Sequence, residues 1–407
     1  MKNRILLLCV LLGAPVVVFA GNGPWPGLTG LNAKANTART AQTNPAGMSR
    51  LSNSELIGQL AIVATETEDA TAVTGLGLSS EDDDTGTYGG PLFYYVKPLN
   101  DRFHFGLSLA VPGGFGDDYG SNSPTRYLVE EWSLAYVALV PALSYRINDQ
   151  WSVGVSAQIN YANYEVENAV LNIGEPDGEM TLEADGVSVS FNGSVLYQIN
   201  DTTRIGAGYR SGVDMELDGD PKFKRLSTTT RDLLDAAGLL NIEVDIESEL
   251  PDIAMAGFYH DFDNGWGWAV DVARIGWSNF RLTEFGFLEG TLFEQDTDYD
   301  DVWAGSTGVS IPMNGRWTLG LGVSYSESPI DKDERTFLFR VDETWIFGAG
   351  LEYDLGNDRS VSFNFNYMDF GEGKIESPTV PFLGRLEAEY DKHWGMMFDF
   401  QYRWGSF

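Results

Sequence analysis

The stretch Val361-Ser-Phe-Asn-Phe-Asn-Tyr367 alternates apolar and polar residues over its whole length. Because successive side chains of a β-strand point to opposite faces, this segment as a strand has one apolar face and one polar face. In a water-soluble sandwich the apolar face would point into the core. In a membrane barrel it points to lipid, and the polar face lines the lumen. The C-terminal stretch 398–404 repeats the pattern with Phe, Tyr and Trp against Asp, Gln and Arg.

Similar segments recur along the chain and predict about fourteen strands, an even number as single-chain bacterial barrels require. They lie near 55–65, 89–98, 102–112, 131–146, 151–166, 185–199, 203–216, 250–262, 266–278, 302–312, 316–327, 343–355, 359–370 and 390–404.

The connections between these strands alternate between short turns and long loops. Asx- and Gly-rich turns, which tolerate positive φ, occur at 147–150, 200–201, 263–265 and 356–358. Long connections occur at 66–88, 113–130, 167–184, 217–249, 328–342 and 371–389. A membrane barrel has short periplasmic turns and long extracellular loops, whereas a soluble sandwich has no reason to alternate them. The predicted fold is therefore all-β: a transmembrane antiparallel β-barrel of about fourteen strands.

The N-terminus predicts export. Lys2 and Arg4 precede an apolar run from Ile5 to Phe19 that is too short to span a bilayer as a helix, and Ala20 supplies a small residue for cleavage. We therefore expect a signal peptide at 1–20 and a location in the outer membrane of a Gram-negative bacterium. Cys9, the only cysteine, lies in this peptide, so the mature chain has no thiol chemistry.

The net charge of −33 excludes nucleic acid as a partner, because binding to phosphates requires Lys and Arg. Two interpretations of the acidic loops stand. They solvate the outer surface, or they bind divalent cations together with lipopolysaccharide phosphates.

Neither catalysis nor metal binding is indicated, and no cofactor is expected. Gly-x-Ser-x-Gly, His-Glu-x-x-His and P-loop motifs are missing from the sequence. His104, His260 and His393 have no metal-ligand spacing, and the Asp296-x-Asp298-x-Asp300 stretch lacks the Gly and Glu of a calcium loop.

Five motifs, in order along nearly the whole mature chain, resemble the FadL/TodX family of outer-membrane transporters. They are Asn44-Pro45-Ala46-Gly47-Met48; Val111-Pro112-Gly113-Gly114-Phe115-Gly116; Pro141 to Ile147 with Trp151-Ser152-Val153-Gly154; Leu250-Pro251-Asp252 with Trp277-Ser278-Asn279-Phe280; and Ser328-Pro329-Ile330 with Arg335 and the strand that follows.

The resemblance implies a monomeric fourteen-stranded barrel that is plugged by an N-terminal hatch. It places Asn44, Pro45, Ala46 and Gly47 in the hatch and divides the chain into a signal peptide (1–20), a hatch (21–52) and a barrel (53–407). It also implies that a long-chain fatty acid or other hydrophobic small molecule lands on the outer loops, binds in an apolar lumen pocket and leaves through a gap in the wall. The hatch of this chain is more polar than the family pattern, with Lys34 and Arg39 in it.

Two groups of residues are candidates for ligand contact. Leu233, Leu234, Ala237 and Leu240 recur at helical spacing and predict a short helix, which either packs on the rim or offers a landing surface for a lipid-like ligand. Strand arginines could bind a carboxylate, with Arg146, Arg210 and Arg274 as the candidates.

The predicted function is uptake of such compounds by facilitated diffusion, with outer-membrane lipids and lipopolysaccharide as surroundings. The main alternative is a general or specific porin for small polar solutes. An enzyme at the barrel rim and an adhesin with acidic loops are further alternatives.

Overall fold

The computed structural model describes residues 29–73, 78–111, 114–127, 129–172, 174–286, 291–294, 299–330, 342–376 and 386–405. The predicted signal peptide, residues 21–28 of the predicted hatch, Pro112, Gly113, Asp296, Asp298 and Arg335 lie outside these ranges. None of the described helices is long and apolar enough to cross a membrane.

Most of the described chain is β-strand. The strands are β1 Glu55–Val73, β2 Leu78–Pro98, β3 Phe103–Ala110, β4 Gly114–Asp118, β5 Glu131–Arg146, β6 Trp151–Val170, β7 Gly178–Gln198, β8 Thr203–Arg210, β9 Val213–Lys224, β10 Val244–Leu250, β11 Ile253–Asp261, β12 Gly267–Ile275, β13 Arg281–Gly286, β14 Thr291–Glu294, β15 Val302–Pro312, β16 Trp317–Ser326, β17 Thr344–Asp354, β18 Arg359–Asp369, β19 Gly373–Glu376 and β20 Leu386–Gly405. The α-helices are α1 Thr40–Thr43 and α2 Thr228–Ala236, and single 3-10 turns occur at Pro45–Arg50, Pro124–Tyr127 and Trp277–Asn279.

These segments form one closed antiparallel barrel. Six pairs of consecutive segments (β3/β4, β8/β9, β10/β11, β12/β13, β14/β15 and β18/β19) each continue one strand, which gives a closed barrel of fourteen strands. β1 pairs with β2 on one side and with β20 on the other, so the chain ends meet and the sheet has no open edge there. The predicted fourteen-stranded barrel is confirmed.

The predicted lengths of several strands were wrong. The connections 66–88 and 167–184 were predicted as loops, but most of their residues belong to the β1–β2 and β6–β7 hairpins, which pair as far as Val73↔Leu78 and Val170↔Gly178. The predicted loop 217–249 contains the end of β9, the helix α2 and most of β10.

The reason for this error is that the alternation changes phase along the strands. In β7, Val187 and Phe191 are 67% and 62% exposed on the outer face, as lipid-facing residues should be. Towards the long-loop end, Leu182 is fully buried inside the barrel and Glu183 faces outward. The outward-facing residues change from apolar to acidic at the level where the wall leaves the bilayer. A sequence search for strands with one constant apolar face therefore ends each predicted strand at that level.

Candidate functional site

Residues 29–51, the described part of the predicted hatch before the first strand, lie inside the barrel. They form hydrogen bonds to strands around its circumference. With the hatch residue first, the pairs are Arg39–Gln59 (β1), Leu51–His104 (β3), Ser49–Arg146 (β5), Ala46–Ser152 (β6), Ala46–Ser194 (β7), Ala33–Arg204 (β8) and Asn32–Asp271 (β12). A segment that touches so many strands of a closed barrel can only occupy its lumen. The wall residues involved cluster near the short turns, so the hatch fills that end.

Glycines in the wall make room for the hatch. A Cβ on Gly154 would lie 2.3 Å from the backbone nitrogen of Ala46, and one on Gly206 would lie 2.2 Å from the carbonyl oxygen of Asn32. A Cβ on Gly106 would lie 2.5 Å from the sulfur of Met48 in the hatch, whereas one on Gly257 or Gly308 would meet a wall residue as well as a hatch residue within 2.8 Å. At Gly106, Gly154 and Gly206 the wall is therefore shaped to this plug.

The motif Asn44 to Gly47 forms the centre of the hatch. The Asn44 side chain donates to the carbonyl of Asn32 at 2.6 Å, and Gly47 N–H donates to the carbonyl of Asn44 at 2.9 Å. Pro45 begins a 3-10 turn, where its fixed φ suits the first position. Ala46 is bound to the wall twice, because its N–H donates to Ser194 at 3.0 Å and its carbonyl accepts from Ser152 at 2.9 Å. All four predicted hatch residues are therefore buried together in the lumen.

Two wall carboxylates hold the hatch backbone. Asp271 accepts the N–H groups of Gly30 at 2.6 Å and Asn32 at 3.1 Å, and the side-chain amide of Asn32 at 3.0 Å. Glu55 accepts the N–H of Ala38 at 2.6 Å. Hydrogen bonds to a carboxylate are about twice as strong as those between neutral groups, so these rank with the bonds from Arg146 and Arg204 among the firm attachments of the hatch.

The hatch also carries buried cations. Arg39 is 1% exposed, donates to Gln59 at 3.0 Å and lies 4.9 Å from the ring centre of Tyr94. Lys34 belongs to no membrane-spanning strand and is 4% exposed. Burial lowers the pKa of Lys34 to about 7, with Glu352 opposing that effect and Arg204 adding to it.

The other half of the lumen is lined by apolar side chains. They come from strands on every side and form one buried cluster, the apolar chamber, whose members include Leu134, Tyr136, Tyr164, Met180, Leu182, Met215, Leu217, Ile246, Trp277, Phe280, Ile346, Met368, Phe370 and Met397. The chamber lies on the long-loop side of the hatch, because its β6 and β7 members are at the far ends of those strands. Val111 packs against both the chamber and the apolar part of the hatch around Ala41 and Met48, so the two are continuous.

The three predicted ligand arginines lie in three different environments. Arg210 is 6% exposed and faces the lumen between the hatch and the chamber, with Gly206 against the hatch and Val213 in the chamber. Arg146 donates to the carbonyl of Ser49, so it holds the hatch. Arg274 is on the outer face in an ion pair with Asp301, which is the wrong side of the wall for a lumen ligand.

A short helix, α2, occurs in this loop; it begins with a Ser227 cap and ends at Ala236, so Leu233 and Leu234 lie in it and Ala237 and Leu240 lie beyond it. Its candidate residues do not share one environment. Leu234 is buried at 8%, whereas Leu233 is 61% exposed and Ala237, four residues on, is exposed with it. Leu240 lies beyond the helix and is half-buried. The structure is therefore consistent with both interpretations of this loop. Leu234 fits the packing of a helix on the rim, and Leu233 fits a landing surface for an apolar ligand.

The wall has an interruption in its pairing beside β2. β3 pairs with β2 from Phe93↔Leu109 to Pro98↔His104, and the chain then breaks regular structure at Val111. β4 pairs with β5, and no β2–β4 ladder occurs in the described residues. In the described residues, the ladder on this side of β2 therefore ends at Phe93↔Leu109, next to the junction at Val111.

The sequence matches the family model described as "Outer membrane protein transport protein (OMPP1/FadL/TodX)" over residues 22–404. The chain belongs to the FadL/TodX family. A curated FadL/TodX relative, the long-chain fatty acid transport protein of Escherichia coli K12, is 22% identical, with 91% of this chain and 90% of the relative aligned. The protein is accordingly an outer-membrane barrel.

Solved FadL/TodX structures share the fold. A FadL homologue from Pseudomonas aeruginosa superposes with a TM-score of 0.77 at 18% identity, covering 97% of this chain and 99% of that one. The Pseudomonas putida toluene transporter TodX gives 0.63 at 17% identity, covering 94% and 98%.

Two kinds of residue in the site were missed from the sequence. Asp271 and Glu55 hold the hatch, and the wall glycines shape its seat. The sequence contains a signal for Asp271. It lies between Val270 and Val272, and its side chain points to the face opposite theirs in a largely apolar strand. In the described part of the chain, no group of three or more His, Cys, Asp or Glu residues is arranged to hold a metal.

Proposed function

We propose that this protein takes up long-chain fatty acids or related hydrophobic compounds by facilitated diffusion, without a chemical step. The observation that carries the proposal is the apolar chamber at the long-loop end of the lumen. A porin for polar solutes has a water-filled polar lumen, whereas an apolar chamber binds alkyl chains and excludes water.

Two buried groups between the chamber and the hatch suit the polar end of such a ligand. Arg210 supplies a guanidinium there, and its cross-strand neighbour Asn192, whose amide also donates to the carbonyl of Gln42 at 3.3 Å, lies beside it. Guanidinium groups bind carboxylates by paired, charge-assisted hydrogen bonds. We therefore assign the carboxylate to Arg210 and the alkyl chain to the chamber above it. Arg146 and Arg274 are not part of this site, because Arg146 binds the carbonyl of Ser49 and Arg274 lies on the outer face.

The route would begin on the outer loops, where Leu233 and Ala237 present an apolar surface, and continue into the chamber. The interruption beside β2 is the exit that the geometry favours, because Val111 joins the chamber to that part of the wall. The hatch blocks the direct path to the short-turn end. We take residues 1–20 as signal peptide, 21–52 as hatch and 53–407 as barrel.

The test is uptake of labelled oleate by a bacterium that lacks its own outer-membrane fatty-acid transporter and expresses this chain. Folding is checked first by heat-modifiable migration on gels. Uptake by the intact protein supports the substrate class. A folded barrel that takes up no oleate, but passes small sugars, would overturn the proposal in favour of the porin alternative.

Arg210→Met tests the assigned carboxylate site, and Arg274→Met is the matched control on the outer face. Loss of a charge-assisted bond of about 1.5–3 kcal/mol lowers oleate affinity by about tenfold or more. Arg274→Met leaves it unchanged. Binding of hexadecane, which has no carboxylate, should be the same in both variants. Equal loss of oleate and hexadecane binding in Arg210→Met would mean that Arg210 is only structural.

A further inference from the structure

A groove opens on the lipid-facing side of the wall, across β6, β7, β8, β11 and β12. Its volume is 460 Å³, and its lining is apolar. The floor is a row of small residues that are neighbours in register, since Val195 pairs with Ala207 and Ala207 pairs with Ala256. This volume lies in the range of sites that hold one small molecule rather than a protein partner.

Aromatic side chains form the two sides of the groove at its short-turn end. Trp151 and Tyr197 stack with ring centres 4.3 Å apart on one side. Phe258, on the other side, meets Trp268 edge to face at 5.6 Å. Trp and Tyr concentrate at the membrane–water interface, so this end of the groove lies at headgroup level.

The wall behind the groove has no side chains on its lumen face at Gly206 and Gly257, and it is backed there by the hatch. Gly206 and Gly257 pair with each other and turn towards the lumen, where Asn32 of the hatch occupies the space of their missing side chains. Ala207 and Ala256 are all that covers the backbone on the lipid side. The plug prevents the floor from collapsing inward, so the groove is a fixed depression.

We propose that this groove binds one acyl chain of a phospholipid from the periplasmic leaflet. The groove is continuous with the lipid-facing belt of the barrel, so the bilayer itself is what covers it. Its aromatic end lies beside the short turns, which face the periplasm in barrels of this type. The absence of charged residues from its lining suits an alkyl chain. This site is separate from the lumen and does not depend on the transport proposal.

The experiment uses the full barrel reconstituted in vesicles with phosphatidylethanolamine that carries a photoactivatable diazirine in mid-chain. After irradiation, adducts are mapped by mass spectrometry of peptides. We expect adducts on the segments around Val195, Ala207 and Ala256 to exceed those on the outer face of β17 by about tenfold, which corresponds to a preference of about 1.4 kcal/mol. Equal labelling of all lipid-facing strands would overturn the proposal.

Ala256→Phe fills the floor and should abolish the enrichment. The matched control is Ala349→Phe, the same change at an exposed alanine on β17, which should leave it intact. Should Ala256→Phe not fold, Ala207→Leu fills the same floor from the neighbouring strand. A free fatty acid with the same diazirine serves as a second probe. Labelling of the groove by this probe, but not by the phospholipid, would refute the phospholipid assignment.

Discussion

Gly154→Ala is the smallest change that should unseat the hatch. The added methyl carbon would lie 2.3 Å from the nitrogen of Ala46, 2.4 Å from the carbonyl carbon of Pro45 and 2.8 Å from its Cβ. Ordinary contacts of this kind are near 3.4 Å. The hatch must therefore move by about 1 Å, and overpacking of this kind costs about 1–3 kcal/mol.

The movement also breaks attachments. The bonds from Ala46 to Ser194 at 3.0 Å and from Ser152 to Ala46 at 2.9 Å cannot survive a shift of that size. Each contributes about 0.5–1.5 kcal/mol, so the seated hatch loses about 2–6 kcal/mol in all. The ratio of displaced to seated hatch then rises by about 30-fold to 10⁴-fold, at 1.36 kcal/mol for each factor of ten.

Planar-bilayer conductance and limited trypsin digestion measure this displacement. Trypsin cleaves after Lys34 and Arg39, both buried when the hatch is seated. Gly193→Ala is the control, because a Cβ there meets nothing within 4 Å and both variants lose the same glycine freedom in the unfolded chain. If Gly154→Ala showed the conductance and cleavage of Gly193→Ala, the wall would be yielding instead of the hatch, and the reasoning would be refuted.

Three further changes follow from the same contacts. Asp271→Leu removes the acceptor of three buried donors, and each donor costs about 1–3 kcal/mol when it is left unsatisfied. Trypsin should therefore cleave after Lys34 faster in Asp271→Leu than in Asp271→Asn, which keeps one acceptor. Equal cleavage rates in the two variants would show that Asp271 does not hold the hatch. The seated Lys34 has a pKa of about 7 against an ordinary 10.5, so a released Lys34 binds more protons between those values; seating should strengthen as pH rises from 7 to 10.5, Lys34→Met should abolish this rise when cleavage after Arg39 is followed, and a rise that persists in Lys34→Met would show that Lys34 is not its source. Phe363→Arg, at a 57% exposed lipid-facing position, should destabilise the barrel by about 2–4 kcal/mol in urea titrations in vesicles, while Leu99→Arg in a short turn should cost little; equal costs would contradict the assignment of the lipid face.

The barrel itself was predictable because its pattern is repeated fourteen times and each short turn has its own chemistry. The extended hairpins above the bilayer were not found, since Glu165 and Glu183 put charge on the face that is apolar lower down. The side chain of Glu183 pairs with Lys222 at 2.9 Å on the outer surface, so nothing in that stretch resembles a lipid-facing strand. The change of the outward-facing residues from apolar to acidic was the sequence signal that these strands continue above the bilayer.

The arginines could have been sorted more finely than they were. Arg274 has the same parity as Val270 and Val272 in β12, so the alternation alone places it on the lipid-facing side. By contrast, no sequence pattern reveals that Arg146 binds the carbonyl of Ser49, because these residues are 97 positions apart and meet only when the barrel closes round the hatch. Long-range contacts of this kind depend on how the hatch folds inside the lumen.

The hatch is joined to β1 by a connection only from Leu51 to Glu55, and β1 closes the barrel against β20 along a ladder from Glu55↔Gly405 to Val73↔Leu386. The start and the end of the chain must therefore meet in the final step of assembly. A plug with wall glycines pressed against it cannot be threaded into a finished cylinder through a gap narrower than itself. The order of events follows: residues 29–51 must already lie among the strands when β20 pairs with β1, and the pairing that closes the barrel joins residues far apart in the sequence, the kind of contact that forms slowly.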